Sequence, residues 1–191
     1  MCYAIHFLHE NNIIHRDLKP DNILVDSSGN PKIIDFGVAR STDSDMNAAT
    51  LQTSVGQLVG TLQYMSPEQC DADPHDIDIR SDVYALGVIM YELTCGSWPY
   101  DLTRTSIYEA TRIIKEEAPL NPKILNSKLP HDVVTILLKA LEKNRDRRYA
   151  SAQALGEDIR RYLEHEPIIA RPPSIAYQAS MFCKRHRTAT V

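Results

Sequence analysis

The chain has 191 residues, 43% of them apolar and 24% charged, enough to bury one ordinary core and inconsistent with default disorder. A net charge of −4 and a pI near 6.0 argue against a general nucleic-acid binder, which carries a basic excess. Cys2, Cys70, Cys95 and Cys183 lie far apart with no C-x-x-C pair, so neither a zinc knuckle nor a disulfide framework is expected and a reducing cytoplasm is the simplest home.

In chain order, "MCYAIHFLHENN" has no basic-then-apolar leader and reads as the last turns of a helix stopped by Asn11 and Asn12. The polar loop "HRDLKPDN", His15 to Asn22, follows. Two β-rich runs, Asn22 to Val25 and Pro31 to Phe36, flank "DSSGN" and predict a hairpin with Gly29 at positive φ. Residues Ser41 to Val59 are polar and aperiodic, which predicts a long loop. "SDVYALGVIMYELTCG" predicts a helix with Ser81 or Asp82 as its cap and Gly96 as its stop. Apolar residues from Val83 to Leu93 run nearly all round it, so burial on most faces is expected.

Later helices are signalled by "SIYEATRIIKEEA", "HDVVTILLKALEKN" and "SAQALGEDIRRYLEH". Beyond Glu166 the run "EPIIARPPS" breaks regularity and leads into a basic end, "CKRHRTATV". The chain is acidic up to Ile159 and basic from Arg160 onward. No run approaches the ~20 apolar residues of a membrane span.

The chemistry concentrates in the first 40 residues. Asp35 follows an apolar run and precedes Phe36 and Gly37, and the glycine lets the backbone leave the strand sharply. An acid so placed could hold a hard cation with a second oxygen from Asn22, because Mg²⁺ takes a few oxygen ligands plus phosphates and water. Asp17 would then remain to orient a hydroxyl and accept its proton, while Lys19 stabilises charge on a transferred phosphoryl group. That division of labour is phosphoryl transfer, in which positioning and electrostatics carry most of the catalysis.

The combination resembles the protein kinase family. "HRDLKPDN" matches its catalytic loop, "DFG" at Asp35 to Gly37 its metal-binding turn, and Ser66-Pro67-Glu68 stands where the family has Ala-Pro-Glu. Lysine two residues after Asp17 looks like the serine/threonine class, and Thr61 resembles the threonine that bonds the catalytic Asp and Lys. The resemblance implies that Asp82 caps the catalytic-loop backbone, that Arg148 pairs with Glu68, and that His15 supports the loop. It also makes Arg16 the receptor for a phosphate on the activation segment, with Thr50, Thr53 and Ser54 as candidate sites.

By this resemblance the fold is α+β and kinase-like: a mainly helical C-terminal lobe with a small β-hairpin, the N-terminal lobe being absent from the chain. The implied domain runs over residues 1–165, with a basic juxtamembrane-like tail over 166–191. The wording is similar to bacterial membrane-anchored serine/threonine kinases, so the tail could meet a membrane surface. Cofactors implied are ATP and Mg²⁺, and the partners are proteins offering Ser or Thr hydroxyls. No glycine-rich phosphate loop and no V-A-I-K-type lysine occur in residues 1–191. Weak activity of the isolated chain is therefore expected. A docking module without chemistry, or a truncated coding sequence, stands as the alternative.

Overall fold

The computed structural model describes residues 1–35, 62–71, 77–172 and 174–185. Helix α1 (Cys2–Glu10) passes through the loop containing His15 to Lys19 and one 3-10 turn (Pro20–Asn22) into strands β1 (Ile23–Val25) and β2 (Pro31–Ile33). The strands pair antiparallel, Ile23 opposite Ile33 and Val25 opposite Pro31. The Asp26 carboxylate accepts the Ser28 and Asn30 N–H groups across the turn, and Gly29 sits at φ +82°. Both strands are shorter than the sequence predicts: Asn22 belongs to the 3-10 turn started by Pro20, and β2 ends at Ile33. The rest is helical: α2 (Pro67–Cys70), α3 (Arg80–Cys95), α4 (Ile107–Glu116), α5 (Pro122–Leu125), α6 (His131–Ala140), α7 (Ala152–Leu163) and α8 (Ile175–Arg185).

Helix α3 is the axle. One side packs Val83, Leu86 and Ile89 with Ile5, Leu18, Ile136 and Leu155; the other packs Tyr84, Val88 and Tyr91 with Leu102, Ile114, Leu137 and Leu141. Gly87 permits the crossing with α6, since a Cβ there would stand 2.8 Å from that of Ala140. Gly96 ends α3 in the left-handed region, φ +70°. Two expectations for this helix are corrected. Leu93 faces outward, 78% exposed. Neither Ser81 nor Asp82 caps the helix: both lie inside its first turn, and the Arg80 N–H is taken by the Asp78 carboxylate. Their side chains point instead to two other segments, which sets the geometry of the site.

The packed unit does not stop at residue 165. Ile168, Tyr177 and Met181 are buried in the same core as α1, α3 and α7. The buried Asp158 carboxylate accepts the Ile169 and Ala170 N–H groups and the Tyr149 hydroxyl, and Asp132 accepts from Arg171 and Tyr177. What the sequence suggests as a tail therefore folds back, through Arg185, onto the lobe. The sequence signal is weak because a Pro-rich run precedes α8 and only one face of that helix is buried.

Candidate active site

The loop between α1 and β1 is held from behind by one carboxylate. Asp82, 1% exposed, accepts the His15 N–H on one oxygen and the Arg16 N–H on the other, both at 2.9 Å. Its His15-bonded oxygen also lies 2.8 Å from His9 Nε2. Arg16 has φ +65°, a conformation that costs a non-glycine residue about 1–2 kcal/mol, so these bonds oppose relaxation of the loop. Asp17 follows with its N–H bonded to the His15 carbonyl. His15 is itself fully buried, its Nε2 3.4 Å from the Ile34 carbonyl oxygen at the end of β2.

Three of the expected chemical side chains meet in front of this support. Lys19 Nζ lies 2.9 Å from Asp17 Oδ2. Asn22 Nδ2 donates to the Asp17 carbonyl at 2.7 Å and to Asp17 Oδ2 at 3.1 Å. Both partners are acceptors, which fixes the amide orientation and turns Oδ1 away from Asp17. The Asn22 carbonyl in turn accepts the Ile34 N–H, so Asp35 begins one residue from the Asn22 backbone. Asp35 is exposed and left-handed, φ +58°. Asp17 and Lys19 are half-buried.

The second anchor is ionic. Arg148 places its two terminal nitrogens 2.6 and 2.7 Å from the two Glu68 oxygens, the side chains being 0% and 7% exposed. Its remaining donors reach the Glu142, Lys143 and Arg80 carbonyls, and the Ser81 hydroxyl also donates to Glu68. Burial alone would raise the Glu68 carboxyl; the Arg148 guanidinium and the Ser81 hydroxyl outweigh it and hold the group below its ordinary value. Nearby Lys143 is pushed down to about 8, chiefly by burial.

The remaining expectations fall elsewhere. Phe36, Gly37, Thr50, Thr53, Ser54 and Thr61 lie outside the described residues. Among the described residues no group of three or more His, Cys, Asp or Glu could hold a metal, and no helix is long and apolar enough to cross a membrane. A site built on one carboxylate and one amide oxygen, as Mg²⁺ with phosphates allows, is a different arrangement from such a cluster.

The sequence model described as protein kinase domain matches residues 1–159. This chain belongs to the protein kinase family. Its similarity to curated relatives assigns the serine/threonine class. It is 39% identical to serine/threonine-protein kinase PknB of Mycobacterium tuberculosis over 168 residues, 87% of this chain and 25% of that protein. It is 35% identical to the protein of that name from Mycobacterium leprae over 182 residues, 95% of this chain and 28% of the relative. A probable serine/threonine-protein kinase of Clostridium acetobutylicum is 35% identical over 156 residues, 82% of this chain and 22% of the relative. The chain thus spans about a quarter of the length of these relatives.

Two residues that brace the loop containing Asp17 escape the sequence reading. Gln69 donates to the Arg16 carbonyl at 2.6 Å while its Oε1 accepts the Ser66 N–H, tying α2 to the catalytic loop. Ser66-Pro67-Glu68-Gln69 is an S-x-x-Q capping box, the signal that could have found it. His9, the buried partner of Asp82, carries no such signal. It sits on a nine-residue helix whose pattern says only that one face is inward.

Proposed function

We propose that this chain forms the catalytic-loop lobe of a serine/threonine protein kinase that transfers the γ-phosphoryl group of Mg-ATP to Ser or Thr hydroxyls of proteins. The observation that carries the reading is the Asn22 side chain, which bridges the Asp17 peptide and carboxylate while its own carbonyl binds the strand end leading to Asp35. One amide thereby ties the acid to the metal-side residues.

Asp17 would orient the acceptor hydroxyl and take its proton, since its carboxylate is half-exposed and steadied by Lys19 and Asn22. Lys19, already beside that carboxylate, would meet the charge on the transferred phosphoryl group. The hard oxygens of Asp35 and Asn22 suit Mg²⁺, which bound there would neutralise phosphate charge. Thr61 is proposed to steady Asp17 and Lys19 from the activation segment. Arg16, whose Nε is buried without a hydrogen-bond partner among the described residues, is the proposed receptor for a phosphate on Thr50, Thr53 or Ser54. We place this activity in the cytoplasm, with the basic end from Lys184 as the part that would approach a membrane surface.

A docking module without chemistry is the second reading, and phosphoryl transfer separates the two. The test is transfer of γ-labelled phosphate from Mg-ATP to casein by the chain alone and by the chain joined to a kinase N-terminal lobe. Slow transfer alone, fast transfer when joined, and loss of both in Asp17→Asn support the enzyme. A joined chain no faster than its Asp17→Asn variant leaves the docking reading.

A further inference from the structure

A cavity of about 600 Å³ lies away from the loop that carries Asp17, where α8 folds back against the start of α6 and the end of α7. It is lined by His131 and Asp132 of α6, His165 after α7, Arg171, and Tyr177 and Lys184 of α8. Four of these six side chains are bases. Asp132 is the one carboxylate among the described lining residues, and it is already engaged: Arg171 lies 3.1 Å from one oxygen and the Tyr177 hydroxyl 3.1 Å from the other. The guanidinium also stacks on the Tyr177 ring at 4.2 Å, which fixes its plane. The hydroxyls of Ser174 and Ser180 add donors to the same wall.

We propose that this cavity binds a phosphate-bearing ligand. An oriented guanidinium with an ammonium and hydroxyls beside it is the chemistry that recognises phosphate oxygens, and the one lining carboxylate is already committed to Arg171 and Tyr177. The volume exceeds that of an inorganic phosphate and falls in the range of small-molecule sites, so the ligand carries an organic group beside the phosphate. Buried Tyr177 and Met181 supply the apolar floor for that group. Two sources offer this chemistry, a soluble phosphomonoester and an anionic lipid headgroup. The inference is independent of the phosphoryl-transfer reading, since it uses none of that site's residues.

The test titrates the 191-residue chain with glycerol 3-phosphate by calorimetry. In parallel, co-sedimentation uses phosphatidylcholine vesicles containing roughly one quarter phosphatidylglycerol, whose headgroups present anionic phosphate. The comparison variants are Lys184→Gln with His165→Asn, asparagine being chosen because His165 has φ +57° and asparagine tolerates that conformation. Lys123→Gln on α5, outside the cavity, is the control. Saturable binding that weakens about tenfold in the double variant and is unchanged in the control supports the site, at the scale of removing one charge-assisted hydrogen bond. Binding of the soluble ester alone assigns a free phosphate; vesicle binding with the same variant response assigns a headgroup. Absence of saturable binding of either probe by the parent chain overturns the proposal, as does a folded double variant that binds like the parent.

Discussion

Adjacent residues at the start of α3 serve two regions in different ways. Asp82 turns toward the catalytic loop and uses its oxygens on backbone N–H groups and a histidine. Ser81 turns toward Glu68, where two side chains 80 positions apart close a buried ion pair. The first arrangement fixes the conformation of a loop containing a left-handed arginine. The second joins distant segments through a charge that must stay compensated. Damage to the first should therefore appear in chemistry more than in stability, and damage to the second in stability first.

Arg148→Met is the harshest way to sharpen that contrast. It leaves Glu68 buried without its cation and strips donors from three carbonyls, so a loss of about 3–5 kcal/mol is expected in urea unfolding. Next comes Asp82→Asn, isosteric but with one acceptor replaced by an NH₂ group facing a loop N–H. Stability should fall by about 1–3 kcal/mol. Phosphoryl transfer by the lobe-joined chain should fall about a hundredfold, the scale of a small misplacement of reacting groups. Equal damage to stability from both variants would break the comparison.

Gly87→Ala tests the axle that both regions share. A methyl group 2.8 Å from Ala140 Cβ must push α3 off α6, at a cost of about 1–3 kcal/mol in thermal or chemical unfolding. The smallest effects are in pH dependence. The Glu68 carboxyl is held below its ordinary value of 4.5, so its contribution is present above that pH and is lost as pH falls through the lower folded value. The parent Tm should drop more steeply below that point than that of Glu68→Gln. Lys143 has the opposite sense: held near 8 against 10.5 when unfolded, it costs stability below that window. Stability should thus rise between those two pH values relative to Lys143→Met.

Much of this is legible in sequence because catalytic loops are local. Asp17, Lys19 and Asn22 lie within six residues, and the hairpin signal at Gly29 returns the chain to bring Asp35 beside Asn22. The Glu68–Arg148 pair comes from the family resemblance, not from any pattern in the intervening residues. The cap of α3 is hidden because Ser81 and Asp82 have capping chemistry that a long-range partner claims first. The folded-back α8 is hidden for a related reason: its partners Asp132 and Asp158 sit in helices whose own periodicity gives no hint of a neighbour.

The central claim is that Asp17, Asn22 and Asp35 share one cleft floor able to hold a divalent ion. Its most direct test is a titration of the nitrogen-labelled chain with Mn²⁺ and ADP, followed by paramagnetic broadening of backbone amides. The account predicts early broadening at Asp17, Asn22, Ile34 and Asp35, abolished by Asp35→Asn. Broadening centred on another acidic segment, or unchanged in that variant, would contradict it.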